Sequence, residues 1–235
     1  HGRGTYKWAD GDEYTGDYQH DKQHGQGRLI DAIGTYSGAW FEDQRNGAGK
    51  QVYKNGEVYD GEWLNNAKHG RGKHTMASGA SYEGEWVRDK HHGTGISRNA
   101  EGEVYEGEFL NHQPHGRGTY KWADGDEYTG DYQHDKQHGQ GRLIDAIGTY
   151  SGAWFEDQRN GAGKQVYKNG EVYDGEWLNN AKHGRGKHTM ASGASYEGEW
   201  VRDKHHGTGI SRNAEGEVYE GEFLNHQPHG RGTYK

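Results

Sequence analysis

The chain has no cysteine, which excludes a disulfide framework and every thiolate metal site. That absence is compatible with a cytoplasmic or cytoskeletal protein and equally with an extracellular filament. No run of about 18 apolar residues occurs, so no helix of this chain spans a membrane. Hydrophobic residues make up only 29%, against 27% charged residues and 42 glycines. Such a composition offers little apolar surface to offset the entropy of ordering and lies close to the disordered class. A formal net charge of −8 and a pI near 6.1 disfavour nucleic acid as a partner and generic adhesion to anionic membranes.

Against disorder stand only two prolines and an aromatic content of 12%. The aromatic residues recur at fixed positions. Residues 1–114 and 115–228 are identical letter for letter, and His229–Lys235 repeats His1–Lys7. Inside each block Tyr14, Tyr36, Tyr59, Tyr82 and Tyr105 open five related segments, repeated at Tyr128, Tyr150, Tyr173, Tyr196 and Tyr219. A period of this size marks a repeat architecture, so the 235 residues read as one continuous array with no internal domain boundary. A core of tyrosine and tryptophan replaces the usual leucine and isoleucine.

Each segment opens on the same motif: Tyr14-Thr-Gly16-Asp-Tyr18, Tyr36-Ser-Gly38-Ala-Trp40, Tyr59-Asp-Gly61-Glu-Trp63, Tyr82-Glu-Gly84-Glu-Trp86 and Tyr105-Glu-Gly107-Glu-Phe109. The second block places Trp154, Trp177, Trp200 and Phe223 in the same role. A central glycine in every copy speaks against a helix. In a strand, ring, glycine and ring share one face and the intervening residues point to the other. The glycine then leaves room for a ring from a neighbouring strand. A second strand follows, opened by His-Gly-x-Gly: His24, Gly25 and Gly27; His69, Gly70 and Gly72; His92, Gly93 and Gly95; His115, Gly116 and Gly118. The second segment has Asn46 instead of the histidine, and those opening at Tyr14 and Tyr128 are one residue short, which predicts local kinks or register changes. The histidines are expected to stack beside the rings and bond a turn carbonyl. Asp10-Gly11 and Asn55-Gly56 read as type I′ hairpin turns. Each segment is thus a β-hairpin, and successive hairpins form an all-β, elongated antiparallel meander, twisted or curled.

On these residues, above all Tyr82-Glu-Gly84-Glu-Trp86 with His92-Gly93-Thr-Gly95 and the closing Gly102, the chain resembles the MORN repeat family. The resemblance covers ten tyrosine-led repeats and implies an elongated single-sheet array used for scaffolding, self-association and tethering, with phospholipid head groups as a further partner of some members.

Several motifs resemble chemical sites. Gly116-Arg-Gly118 suggests a nucleotide loop, but G-x-G recurs in every repeat with no helix after it. Among the 17 histidines, His91 and His92 are adjacent and face opposite ways in a strand, so no metal site is expected. Asp10-Gly-Asp-Glu13 lacks the full calcium ligand series. No nucleophile elbow or unique Ser/His/Asp set is present, and Glu83 and Glu85 recur as a ladder facing Arg71 and Lys73. No cofactor and no catalytic residue are expected. The reading is a non-enzymatic structural repeat protein that forms a rod, filament or scaffold with itself or with other proteins. A basic strip at Lys68, Arg71 and Lys73 keeps a lipid-tethering module as the alternative. Letter-identical blocks fit a recent duplication and an engineered scaffold alike. Repeat arrays ordinarily carry atypical capping repeats, and the identity of His1–Lys7 with His229–Lys235 leads to the expectation of a window on a longer array.

Overall fold

The alternation of the Y-x-G-x-W motif is realised as 21 strands and no helix in a computed structural model that describes residues 1–235. The chain divides into two units, His1–Gly116 and Arg117–Lys235. The first contains tyrosine strands Glu13–Gln19, Gly34–Phe41, Val58–Leu64, Ser81–Val87 and Val104–Leu110. Between them lie glycine strands Lys22–Ile30, Gln44–Tyr53, Ala67–Thr75 and Lys90–Arg98, with Gly2–Lys7 before the first. The second unit repeats the order from Glu127–Gln133 to Gln227–Tyr234. Within each unit strands adjacent in sequence pair antiparallel, and the sheet stays open instead of closing into a barrel.

The pairing alternates between two registers. Inside the hairpin built on Tyr59, Gly61 faces Gly72 but Trp63 faces Lys68. One residue of the tyrosine strand, Glu62, therefore spans three of the glycine strand, His69, Gly70 and Arg71, and the hairpin is bulged there. Gly70 has φ 61°, the left-handed region in which glycine carries no penalty. To the next repeat the pairing is unshifted, with Gly72 facing Gly84 and Gly70 facing Trp86. The His-Gly-x-Gly motif is thus a bulge followed by a glycine that faces glycines on both sides. Asn46 leaves this arrangement intact, since Gly38 still faces Gly49 and Trp40 faces Arg45.

The turns differ from expectation. Gly11 and Gly56 are left-handed, but Asp10 and Asn55 are not, so neither pair is the type I′ turn. The Trp8 carbonyl accepts from the Gly11 N–H, and the Asp12 N–H bonds the Asp10 carboxylate. This is a longer glycine loop braced by its own Asx side chain. Left-handed pairs of the I′ kind occur at the opposite hairpin end, without glycine: His20-Asp21, Glu42-Asp43, Asn65-Asn66, Arg88-Asp89 and Asn111-His112. The shortened first repeat produces no special kink. Its missing residue is absorbed at Asp31–Gly34, where the Asp31 carboxylate accepts from the N–H groups of Ile33 and Gly34.

Candidate interaction surfaces

The Tyr, Gly and Trp positions line one face. A flat strand would hold Tyr59 and Trp63 about 13 Å apart. Their ring centroids lie 5.1 Å apart and perpendicular, because the Tyr59 ring leans over Gly61 and Gly72, where a Cβ would strike it. Tyr59 also meets Trp86 of the next repeat edge to face at 5.3 Å. The same two contacts join Tyr14 to Tyr18 and Trp40, Tyr36 to Trp40 and Trp63, and Tyr82 to Trp86 and Phe109. In the second unit they run through Tyr128, Tyr150, Tyr173 and Tyr196 to Phe223. Edge-to-face geometry suits the ring quadrupoles, and Tyr59, Tyr82, Tyr173 and Tyr196 are at most 1% exposed.

The tyrosines that open the repeats and the tryptophans have their polar tips satisfied. The Tyr59 hydroxyl donates to the Glu62 carbonyl, and the Trp63 indole N–H donates to the Gly49 carbonyl of the preceding repeat. Burial raises the Tyr36 and Tyr82 hydroxyls to about 12, so the ladder stays uncharged at neutral pH. The two glycines have separate reasons. A Cβ on Gly72 would strike the Tyr59 hydroxyl and ring, whereas one on Gly61 would strike the Gly72 backbone before the Tyr59 hydroxyl. The expected ring from a neighbouring strand is therefore replaced, at Gly61, by the close approach of two backbones.

The residue opposite the tryptophan forms a lid that sequence reasoning missed. Arg45 lies over Trp63 at 4.3 Å and donates to Gln51, itself 2% exposed. Lys68 sits among Tyr59, Trp86 and Tyr53 at 5.0, 5.1 and 5.6 Å. Burial lowers its pKa, opposed by Asp89 and Glu57. His91 stacks flat on Tyr82 at 3.6 Å, and burial, then His112, depresses its pKa to about 3. The stacking histidine is thus the residue before the His-Gly motif. The motif's own His92 faces Glu85 across the hairpin, on the opposite side of the sheet from Trp86 and His91. The motif histidines His24 and His138 meet Phe41 and Phe155 on that outer side. His69 and His183 bury Nδ1 without a partner. No group of three or more metal-ligating side chains is assembled.

A second set of contacts links the non-glycine turns. The Lys68 N–H donates to the Asp89 carboxylate at 2.8 Å, while the Asp89 N–H donates to the Lys68 carbonyl at 3.0 Å. Gln23 and Asp43, Arg45 and Asn66, and His91 and His112 make the same reciprocal pairs, each from one repeat to the next. Pro114 occupies the donor position of the fifth repeat and has no N–H to give.

The outer face carries the alternate residues. In the third to fifth repeats each tyrosine strand presents two carboxylates and one apolar side chain: Asp60, Glu62 and Leu64; Glu83, Glu85 and Val87; Glu106, Glu108 and Leu110. Asp60 reaches Lys50 at 3.7 Å and Glu83 reaches Lys73 at 3.3 Å. Glu85 accepts from the Thr94 N–H and hydroxyl, which holds its carboxyl below the usual range. A trough of about 630 Å³ with a floor of Gly84, Gly95 and Gly107 runs between these side chains, and one of about 730 Å³ lies at the equivalent place in the second unit.

The MORN repeat model matches residues 1–13, 14–35, 36–58, 59–81, 82–103, 105–127, 128–149, 150–172, 173–195, 196–217 and 219–235. A search of curated protein sequences gave no match. Among solved structures, the TCP10 domain of Danio rerio CPAP in complex with a STIL peptide is similar at 12% identity and a TM-score of 0.44, covering 94% of this chain and 93% of that one. The TCP domain of Drosophila melanogaster SAS-4 with a proline-rich motif of Ana2 gives 13%, a TM-score of 0.35, and coverage of 82% and 87%. Virginiamycin B lyase of Staphylococcus aureus gives 15%, a TM-score of 0.17, and coverage of 94% and 70%. At these scores the likenesses carry no functional argument.

Proposed function

Because this chain belongs to the MORN repeat family along its whole length, we propose that it is a non-enzymatic structural repeat protein, one continuous array that scaffolds by associating with further copies of itself. The observation that supports this is the sameness of the step between repeats. Gly27 faces Gly38, Gly49 faces Gly61, Gly72 faces Gly84 and Gly95 faces Gly107, each in the unshifted register. A glycine strand is thus a template for any further tyrosine strand of the same kind, the condition for strand addition. The side chains that resemble chemistry, among them Lys68, His91 and the tyrosines, are occupied in holding repeats together. Carboxylates on the outer face and the net charge of −8 argue against anionic lipid as the principal partner.

Sedimentation and negative-stain imaging of the native protein, beside its mass under denaturing conditions, test the reading. Species larger than the 26.4 kDa chain in native buffer, dissociating to it in denaturant, are expected. A monodisperse monomer across the accessible concentration range would overturn self-association.

A further inference from the structure

The row of cationic lids on the ring face has a gap. In the second unit Arg159 lies over Trp177 at 4.4 Å and Lys182 over Trp200 at 5.2 Å. The same position beside Trp154 holds Gln137, which has no charge. The counter-charge is nevertheless kept. Asp203 accepts from the Lys182 N–H and favours its ammonium. Asp157 accepts from the Gln137 N–H in the same way, with no ammonium on that residue to favour. A cavity of about 630 Å³ opens here, walled by Trp122, Trp154 and Leu143 and lined by the carboxylates of Asp124, Asp126, Asp145 and Asp157. Its one basic lining residue, Arg159, donates to Gln165 and to the Asn180 carbonyl. Asp124 and Asp145 accept from uncharged backbone N–H groups, and the ion pairs of this unit use other carboxylates. Desolvation, then the charges of Asp124 and Asp145, raise the Asp126 carboxyl above its ordinary range, against the pull of Lys168. The first unit has the same residues, from Trp8 to Asn66.

We propose that this cavity binds a linear aliphatic polyamine, whose ammonium group takes the place beside Trp154 that Arg159 and Lys182 take beside Trp177 and Trp200. The proposal does not depend on self-association. The chain itself shows the contact, since the Lys182 ammonium sits 5.0 Å from Tyr173 and 5.2 Å from Trp200. A cation over an indole is attracted by the ring quadrupole, and carboxylates beside it add charge-assisted hydrogen bonds. Charge excludes anions from the site. Several separate carboxylates favour a chain with several ammonium groups over a single cation. They also favour N–H donors over a quaternary ammonium, which has none to give. The methylenes between the ammonium groups pack on the indoles and Leu143, as lysine stems do on apolar surface. A recess of this volume is of small-molecule size.

Calorimetric titration of the full chain with spermidine in about 0.15 M salt should show saturable binding at one site in each unit, with a change in tryptophan fluorescence. Gln137→Lys with Gln23→Lys supplies the missing lid from the chain itself and should abolish binding without lowering the thermal midpoint. Asp126→Asn with Asp12→Asn, and Trp122→Ser with Trp8→Ser, lie outside the ring ladder and should each weaken binding about tenfold. They decide the matter if the lysine variant melts early. Glu83→Gln with Glu197→Gln, on the outer face, should leave binding unchanged. Equal binding by all these variants, or equal competition by Mg²⁺ at the same total charge, would reduce the effect to diffuse counterions and overturn the proposal. Tetramethylammonium binding as tightly as spermidine would overturn the choice of a polyamine. So would a lysine tripeptide binding more tightly, which would assign the cavity to a side chain of a partner protein.

Discussion

The two faces of each tyrosine strand are built on opposite terms from interleaved residues. Tyr59 and Trp63 are at most 4% exposed and touch rings of adjacent repeats, whereas Asp60, Glu62 and Leu64, one residue away, are exposed. The Tyr, Gly and Trp positions of the ring face change little from repeat to repeat, and only its lid position varies. The outer face reads Ser37, Ala39 and Phe41 in the second repeat and Glu83, Glu85 and Val87 in the fourth. Stability is concentrated where residues recur, and individuality is placed where substitution costs little.

The largest test of that division is a matched pair of truncations. Trp63→Ala with Trp177→Ala should cost about 3–5 kcal/mol per site in urea or thermal unfolding, and Gly61→Val should be comparably damaging because its Cβ meets the Gly72 backbone. Leu64→Ala with Leu178→Ala, on the outer face, should cost less than about 1 kcal/mol per site. Similar losses on both faces would end the distinction.

A smaller effect is expected from the turns. Asp89→Ala with Asp203→Ala removes the side-chain acceptor of the Lys68 and Lys182 N–H groups and should cost about 1 kcal/mol per site. Native-state amide exchange should speed up at Lys68 while Gly72 stays protected. Uniform acceleration along the strand would mean that the turn contacts are not a separate link.

Acid should weaken the ring face through its lids. Burial holds His91 at about 3 and His205 at about 4, so between those values and the unfolded value near 6.5 the unfolded chain binds more protons. The contribution of the neutral, stacked imidazoles is complete above about pH 6.5 and is lost as pH falls toward 4. Denaturant midpoints should drop across that window, and His91→Phe with His205→Phe should flatten the drop. An unchanged slope in the double variant would assign it to other groups.

The smallest effect belongs to the exposed ion pairs. Glu83→Gln with Glu197→Gln breaks contacts to Lys73 and Lys187 and should shift stability by no more than about 0.5 kcal/mol per site. A larger, salt-insensitive loss would give the outer face a structural role.

The period, the strand alternation and the ring face were legible because Tyr, Gly and Trp recur at positions that admit one pleated arrangement. The bulge was present as His-Gly-x-Gly, but its reason was not, since it depends on three residues facing one across the hairpin. The lid row escaped because Gln23, Arg45, Lys68, His91 and Pro114 share a position and no chemistry; only their common offset from the tyrosine marked them. The non-glycine turns escaped for a related reason. Local preference favours Asp-Gly and Asn-Gly, whereas Arg88-Asp89 is held left-handed by a bond to another repeat, a contact no short window contains.

Those turn contacts have a consequence for orientation. In every pair the strand N–H belongs to the earlier repeat and the accepting side chain to the later one. A stack made by this rule has an arrow: toward one end each layer offers strand backbone alone, and toward the other a turn with its accepting side chain. Anything that binds along it, or grows from it, meets two chemically distinct directions of travel.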